Sequence, residues 1–266
     1  SKAVDLDLKA LCFEENNDIN ITEFTQVCLL TTSVAIMEEL KTRGVKADVA
    51  AGLSLGEYCA LVAVGSMNFV DAAKAVRKRG IFMQEEVPAG KGGMAAILGM
   101  DAAEIDKNIE EFDKVQVANY NCPGQIVISG ETEQVKQAAD KLKEAGAKRA
   151  VLLNVSGPFH SSLLTGAGEK LEAVLKELTI EKPQIPYVAN VDASYITEQA
   201  DIMPRLVSQV SHLLVGFFQL LLQFVVAVTV EGLDIGALAV RQVIIGGQLR
   251  IGQGDKGNAH PHIGHG

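Results

Sequence analysis

A serine lies between two glycines in the stretch VAAGLSLGEYCAL, residues 49–61. Gly52, Ser54 and Gly56 form the pattern G-x-S-x-G, with apolar residues before it and a helical pattern after it. This pattern predicts a nucleophile elbow, because the two glycines allow a sharp strand-to-helix turn that a Cβ would block. Ser54 Oγ would then project at the head of the helix. There the backbone N–H of Leu55 and the positive end of the helix would stabilise an oxyanion.

A serine nucleophile needs a neighbouring base, and His160 is the histidine within the α/β pattern of the chain. It follows an apolar strand, in a loop that Gly157 and Pro158 tighten, and such loops carry the functional groups of α/β folds. The other four histidines lie at residue 212 or beyond. Both residues also have structural interpretations: Ser54 as a helix N-cap, which is compatible with catalysis, and His160 as a loop residue without chemistry.

The composition excludes several classes of protein. The chain has 266 residues and a formal net charge of −9, whereas a nucleic-acid binder needs a basic face. Its four cysteines show no CxxC spacing, which indicates reduced thiols in a cytoplasmic protein. The N-terminal residues contain no apolar core of a signal peptide. We expect small molecules or proteins as partners, and neither nucleic acid nor membrane.

Helical and strand-like segments alternate along the chain, which predicts an α/β fold with a parallel sheet covered on both faces. Residues 21–44 have helical spacing, KADVAAGLS reads as a short strand, and a second helix should begin at Ser54. A third helix should begin near Asn68 and end before Pro88. We expect an α/β-hydrolase-like core over residues 1–88 and 155–210.

A second unit is predicted within residues 89–154. The segments GGMAAILGM, VQVANY, QIVISGE and AKRAVLLN are strand-like, and two strongly helical patterns lie among them. The resulting order is β-α-β-β-α-β, which is typical of ferredoxin-like domains. We therefore predict a small ferredoxin-like domain inserted into the core.

Four separated motifs carry a resemblance to a known family: GLSLGEYCAL, VRKRGIFMQEEVPAGKGGMAAILG, NYNCPGQIVISGE and LNVSGPFHSSLL. In this order they resemble the malonyl-CoA:acyl carrier protein transacylases of bacterial fatty-acid synthesis and, more distantly, the acyltransferase domains of polyketide synthases. The resemblance extends from about Leu11 to Gln209. It implies that Ser54 takes the malonyl group from coenzyme A and that His160 is the base.

The resemblance also implies residues that select the substrate. Arg79 would pair with the free carboxylate of malonate, for which a guanidinium is suited because it donates two parallel hydrogen bonds. Without the resemblance, Arg79 would be interpreted as a solvated charge beside Arg77 and Lys78. Asn119 and Asn121 would face the acyl-binding cleft.

The implied reaction is a ping-pong transfer, in which the phosphopantetheine thiol of acyl carrier protein attacks the seryl ester. The implied partners are malonyl-CoA, a coenzyme A thioester that serves as substrate, and acyl carrier protein; no metal or other cofactor is implied. In this family a backbone carbonyl orients the histidine. Two alternatives remain. A serine esterase or thioesterase would need a buried acid between Ser54 and His160 in chain order, and a catalytically impaired remnant would only bind the carrier protein.

The two ends of the sequence depart from that family pattern. Family members begin with an apolar strand and a PGQG-like loop, whose glutamine supplies a second oxyanion N–H, and we expect the printed sequence to lack this donor. Residues 211–266 form an atypical tail without tryptophan, and the sequence leaves its fold open. Glutamines interrupt its apolar run, so we interpret the run as buried or non-native rather than as a membrane span. We expect the tail to have lost the carbonyl that orients His160.

Overall fold

The structure is a computed structural model that describes residues 1–88, 90–155 and 157–215. Helices and short strands alternate through these residues. The helices are α1 (Leu8–Phe13), α2 (Thr22–Thr42), α3 (Gly56–Ala63), α4 (Phe69–Glu86), α5 (Ala102–Ile109), α6 (Thr132–Glu144), α7 (Thr165–Lys176) and α8 (Ile202–Ser211). The strands are β1 (Ala50–Ala51), β2 (Gly92–Leu98), β3 (Val115–Cys122), β4 (Gln125–Glu131), β5 (Arg149–Leu152), β6 (Tyr187–Val188) and β7 (Tyr195–Ile196).

The larger hydrophobic core is built mainly by helices. Leu30 of α2, Leu61 of α3, Leu171 of α7 and Leu206 of α8 are fully buried in it. α2 and α4 approach closely at Gly80, where an added Cβ would lie 2.7 Å from the Cα of Glu23 and so could not be accommodated. This close approach brings the side chain that precedes Gly80 against α2.

A small three-stranded sheet with the order β1-β6-β7 lies in this core. β1 pairs in parallel with β6, and β6 pairs antiparallel with β7. In the described residues the expected parallel sheet is limited to the two-residue β1–β6 pair. β1 ends where the chain turns at Gly52. Pro186 directly before β6 has no N–H to extend the ladder.

β2 to β5 form a separate antiparallel sheet with the strand order β3-β4-β2-β5. The chain order through this unit, β2-α5-β3-β4-α6-β5, is the β-α-β-β-α-β order that the sequence predicts. One face of the sheet packs Ile97 and Ile128 with α5 and α6. The other face packs Ala118 and Val127 against Phe159. The second face therefore supports the loop that carries the predicted base.

The starts of two helices, α4 and α3, test predictions made from the sequence. Asn68 caps α4 as predicted, since its Oδ1 accepts a hydrogen bond of 2.9 Å from the N–H of Asp71. The prediction that a helix begins at Ser54 is wrong. α3 begins at Gly56, because Ser54 has a φ of +53°, which lies outside the right-handed helical region.

Two predictions concern residues at the C-terminal end. Among the residues described, no helix is both long enough and apolar enough to cross a membrane. The predicted tail lies outside the described residues from residue 216 onward, and so does most of its apolar run.

Candidate active site

The turn between β1 and α3 holds Ser54 in the left-handed backbone region, which serine rarely occupies. An added Cβ at Gly52 would lie 2.0 Å from the carbonyl oxygen of Gly56, so only glycine fits there. At Gly56 an added Cβ would meet no atom within 4 Å. The prediction that both glycines clear space is therefore wrong for Gly56, whose backbone is instead the obstacle that Gly52 must avoid.

Two amide side chains hold the backbone of Ser54. Its N–H donates to Asn190 Oδ1 at 2.5 Å, and Asn190 Nδ2 donates to the carbonyl oxygen of Gly52 at 2.7 Å. From α8, Gln209 Nε2 donates to the carbonyl oxygen of Ser54 at 2.9 Å. These contacts stabilise the turn, because strained backbone persists only where its surroundings determine it.

His160 lies against the serine hydroxyl. Its Nε2 is 2.9 Å from Ser54 Oγ, and its Nδ1 is 2.8 Å from the carbonyl oxygen of Gln209. Because a carbonyl only accepts, Nδ1 carries the proton, and Nε2 accepts the hydrogen bond from the serine hydroxyl. The expectation that the orienting carbonyl is lost with the tail is wrong, since Gln209 lies within α8.

The position and charge of His160 are fixed by its neighbours. Gln116 Nε2 donates to the His160 carbonyl oxygen at 3.4 Å, and Gln116 Oε1 accepts from the N–H of Ser162 at 2.9 Å. Burial, and next the positive charge of Arg79, lower the pKa of His160 to about 3, while the Gln209 carbonyl opposes them. The imidazole is therefore neutral near pH 7, as a general base requires.

The structure buries Arg79, which is 2% exposed, so its interpretation as a solvated charge is wrong. Its Nη2 donates to Ser54 Oγ at 3.0 Å and to Gln209 Oε1 at 2.9 Å. Its Nη1 donates to Gln26 Oε1 at 2.7 Å. Burial lowers the pKa of Arg79, and the neighbouring Tyr58 and Glu57 oppose that shift. A guanidinium keeps its proton in such surroundings and thus places a positive charge beside the hydroxyl.

Leu55 follows the nucleophile and directly precedes α3, and its side chain is buried. Within residues 1–215, as far as they are described, no group accepts a hydrogen bond from its N–H. This N–H lies at the N-terminal end of α3 next to Ser54, and Leu55 remains the predicted oxyanion donor.

Asn119 and Asn121 lie on β3, and the structure does not join them to the serine. The Oδ1 atoms of both are buried and have no hydrogen-bond partner among the described residues. Leu214, beyond α8, continues this edge: its N–H donates to the Ala118 carbonyl oxygen at 2.8 Å, and its carbonyl accepts from the N–H of Tyr120 at 3.2 Å. No hydrogen bond in the described part of the chain links either asparagine to Ser54, His160 or Arg79.

Four further polar residues belong to this cluster and were not predicted from the sequence: Gln26, Glu57, Asn190 and Gln209. Glu57 could have been noticed in the sequence, because it is a carboxylate three residues after Ser54 and lies among the apolar residues of α3. It is completely buried, and burial raises its pKa to about 7 against the lowering effect of Gln209, Asn190 and Arg79. Among the described residues no group of three His, Cys, Asp or Glu side chains could hold a metal ion.

Known proteins are similar to this chain in sequence. The family model described as acyl transferase domain matches residues 2–209. A Bacillus subtilis protein named malonyl CoA-acyl carrier protein transacylase is 52% identical over 207 residues, which cover 76% of this chain and 65% of the relative. The Escherichia coli K12 protein of the same name is 45% identical over 214 residues, 79% of this chain and 69% of the relative. The chain thus spans about two thirds of the length of these relatives.

Solved structures give the same result. The crystal structure of MCAT from Streptococcus pneumoniae has a TM-score of 0.80 and 40% identity, and the match covers 86% of this chain and 75% of that one. A malonyl-transacylase solved in complex with its type II PKS acyl-carrier protein has a TM-score of 0.78 and 42% identity, covering 80% and 71%. The α/β fold is therefore shared with these enzymes. The chain belongs to the acyl transferase domain family.

Proposed function

We propose that the protein transfers a malonyl group from malonyl-CoA to the phosphopantetheine thiol of acyl carrier protein through a seryl ester on Ser54. One observation carries this proposal: a neutral imidazole and a buried guanidinium both contact the same serine hydroxyl, at 2.9 Å and 3.0 Å. The curated relatives are named for this reaction, and one similar structure contains an acyl-carrier protein.

The site residues account for the proton transfers. His160 Nε2 takes the hydroxyl proton while Ser54 Oγ forms a bond to the thioester carbonyl carbon. The carbonyl π electrons move onto oxygen, where the Leu55 N–H donates to them. As the oxyanion collapses, the C–S bond breaks and His160 returns the proton to the leaving coenzyme A sulfur. The second half-reaction reverses these steps, with the pantetheine thiol giving its proton to His160 and Ser54 Oγ as the leaving group.

Arg79 supplies selectivity for an acyl group that ends in a carboxylate. Its Nη2 lies 3.0 Å from Ser54 Oγ, so a carboxylate two bonds beyond the ester carbonyl lies within its reach. Its Nε is buried and has no hydrogen-bond partner among the described residues. Nε and Nη2 together form the planar fork that binds a carboxylate through two hydrogen bonds. Acetyl offers no such carboxylate. Asn119 and Asn121, with unpartnered buried oxygens, remain predicted residues of the acyl cleft.

The alternatives have less support. A serine hydrolase of the predicted kind needs a carboxylate on the histidine, whereas Nδ1 of His160 faces the Gln209 carbonyl. It would also leave the buried charge of Arg79 without a substrate role. A remnant that only binds the carrier protein would not need a hydrogen-bonded serine and histidine.

We assign residues 1–88 and 155–210 to an α/β-hydrolase-like core and residues 89–154 to a ferredoxin-like insertion. The strand order β3-β4-β2-β5 and the separate hydrophobic core of α5 and α6 support the insertion. No cofactor takes part in the proposed chemistry, and the four free cysteines agree with a reducing, cytoplasmic location.

The test is intact-protein mass after brief exposure to malonyl-CoA and, separately, to acetyl-CoA. We expect a malonyl adduct on the wild type and none on Ser54→Ala. In Arg79→Ala we expect the malonyl adduct to form about 100-fold more slowly, while acetyl transfer changes far less. Folded wild-type protein that takes neither acyl group would refute the proposal. Arg79→Ala with an unchanged preference for malonyl would refute the role of Arg79.

A further inference from the structure

Glu57 is a buried carboxylate that makes no contact with the reacting atoms, although it lies three residues after Ser54. It is 0% exposed. Its Oε2 accepts a hydrogen bond of 2.6 Å from Gln209 Nε2 and one of 3.3 Å from the backbone N–H of Asn190. Burying a carboxylate costs free energy, and these two donors offset only part of that cost. Its Oε1 has no partner among the described residues.

The two partners of Glu57 are the same two residues that hold the nucleophile. Asn190 accepts from the N–H of Ser54, and Gln209 donates to the carbonyl oxygen of Ser54. The carbonyl of Gln209 orients the ring of His160, and its Oε1 accepts from Arg79. The Glu57 carboxylate on α3 thus contacts both supports, Asn190 in the turn after β6 and Gln209 on α8. Through them it is linked to Ser54, His160 and Arg79.

Charged and titratable groups of α3, α4, β6 and the turn after β6 surround Glu57. Arg79 of α4 favours the ionised form, while Asp192, in the turn after β6, disfavours it. Burial, and after it the charge of Glu57, raises the pKa of the hydroxyls of Tyr58 on α3 and Tyr187 on β6. Ionised, Glu57 accepts from two N–H donors; protonated, it becomes a weaker acceptor and adds a donor to a site with few acceptors.

We propose that Glu57 is a positioning residue for acyl transfer: through Gln209 and Asn190 its carboxylate keeps Ser54 in the left-handed conformation and His160 aligned with the hydroxyl. This role rests on the proposed function, because it assumes that Ser54 is the nucleophile. It does not depend on which acyl group Ser54 accepts.

The experiment therefore uses a probe that ignores acyl specificity. A fluorophosphonate reacts with an activated serine by forming an O–P bond and losing fluoride, and its rate reports the alignment of Ser54 and His160. We expect Glu57→Gln to react at least about 10-fold more slowly than wild type, the effect of weakening a charged hydrogen bond. Glu104→Gln, the same change on the exposed start of α5, should react at the wild-type rate.

The pH profile separates positioning from a merely structural role. The wild-type rate should fall as the pH is lowered through about 7, where Glu57 takes up a proton. In Glu57→Gln this decline should disappear. If Glu57→Gln does not fold, Glu57→Asp, which keeps the charge but has a shorter reach, should be slow and keep the decline.

The inference is overturned by a folded Glu57→Gln or Glu57→Asp that reacts within twofold of wild type. It is equally overturned by a wild-type rate without a decline near pH 7, or by a decline that persists in Glu57→Gln. A wild type that reacts with the fluorophosphonate but not with malonyl-CoA would refute the proposed acyl group and leave the test of Glu57 intact. Folded wild type that does not react with the fluorophosphonate would overturn both.

Discussion

His160 Nδ1 donates to the backbone carbonyl oxygen of Gln209 at 2.8 Å, which joins the loop after β5 to α8. A backbone carbonyl cannot be protonated at neutral pH and carries no net charge. It therefore fixes the tautomer of the imidazole without adding a second negative group to a site that already holds Glu57. The side-chain amide of the same residue donates to the carbonyl oxygen of Ser54, so His160 and Ser54 share one support.

We predict that His160 stays neutral, with the proton on Nδ1, at pH 5. Nitrogen chemical shifts of ¹⁵N-labelled histidine, assigned by their loss in His160→Gln, measure this directly. The unfolded chain binds a proton near pH 6.5, whereas the folded ring does so only near pH 3. This group therefore lowers the free energy of unfolding as the pH falls from 6.5 toward 3. A His160 signal that titrates with a midpoint near the ordinary value would contradict the assigned burial.

We predict opposite effects of two alanine substitutions in the elbow. Gly52→Ala should destabilise the protein by about 3 kcal/mol or more, because the new Cβ would lie 2.0 Å from the Gly56 carbonyl oxygen. Gly56→Ala meets no atom within 4 Å and should be neutral or stabilising by up to about 1 kcal/mol, since alanine favours a helix. Urea denaturation of both variants checks this. Equal losses would show that the turn is not sterically fixed at Gly52.

We predict that Gln26→Ala costs about 1–3 kcal/mol, because the buried Nη1 of Arg79 then loses the acceptor 2.7 Å away. Denaturant unfolding measures the loss. Gln199→Ala is the matched control: where Gln26 accepts from a buried charge, the exposed amide of Gln199 donates to the Ile180 carbonyl oxygen at 2.7 Å, and its removal should cost less than about 1 kcal/mol. Similar costs for the two variants would argue against a charged hydrogen bond at Gln26.

Much of the site follows from local sequence. Ser54 is identified by the glycine spacing, which depends on backbone geometry that a short sequence pattern can carry. The β-α-β-β-α-β order from β2 to β5 follows from strand and helix periods that repeat over whole elements. The cap at Asn68 was also predictable, because capping is a contact between residues three apart. Arg79 was identified only through a family resemblance. In the sequence it follows Arg77 and Lys78, and nothing distinguishes it from a solvated residue.

The supporting amides could not be predicted in the same way. Asn190 and Gln209 contact Ser54 across 136 and 155 residues of chain. A buried amide has no period and no characteristic neighbours in sequence, and its role appears only when the fold places a backbone group opposite it. The extent of the parallel sheet was overestimated for a related reason, because the short apolar runs around β1 and β6 resemble strands but end at Gly52 and begin after Pro186.

The separation between Ser54 and its supports has a consequence for biosynthesis. A ribosome completes the elbow when roughly a quarter of the described chain has emerged, but the amides that hold it arrive 136 and 155 residues later. Domains form from the N-terminus onward during translation. The growing polypeptide therefore carries Ser54 without the two side-chain amides that hold its backbone until α8 docks. If Ser54 is the nucleophile, as we propose, acyl transfer is expected only after α8 is in place.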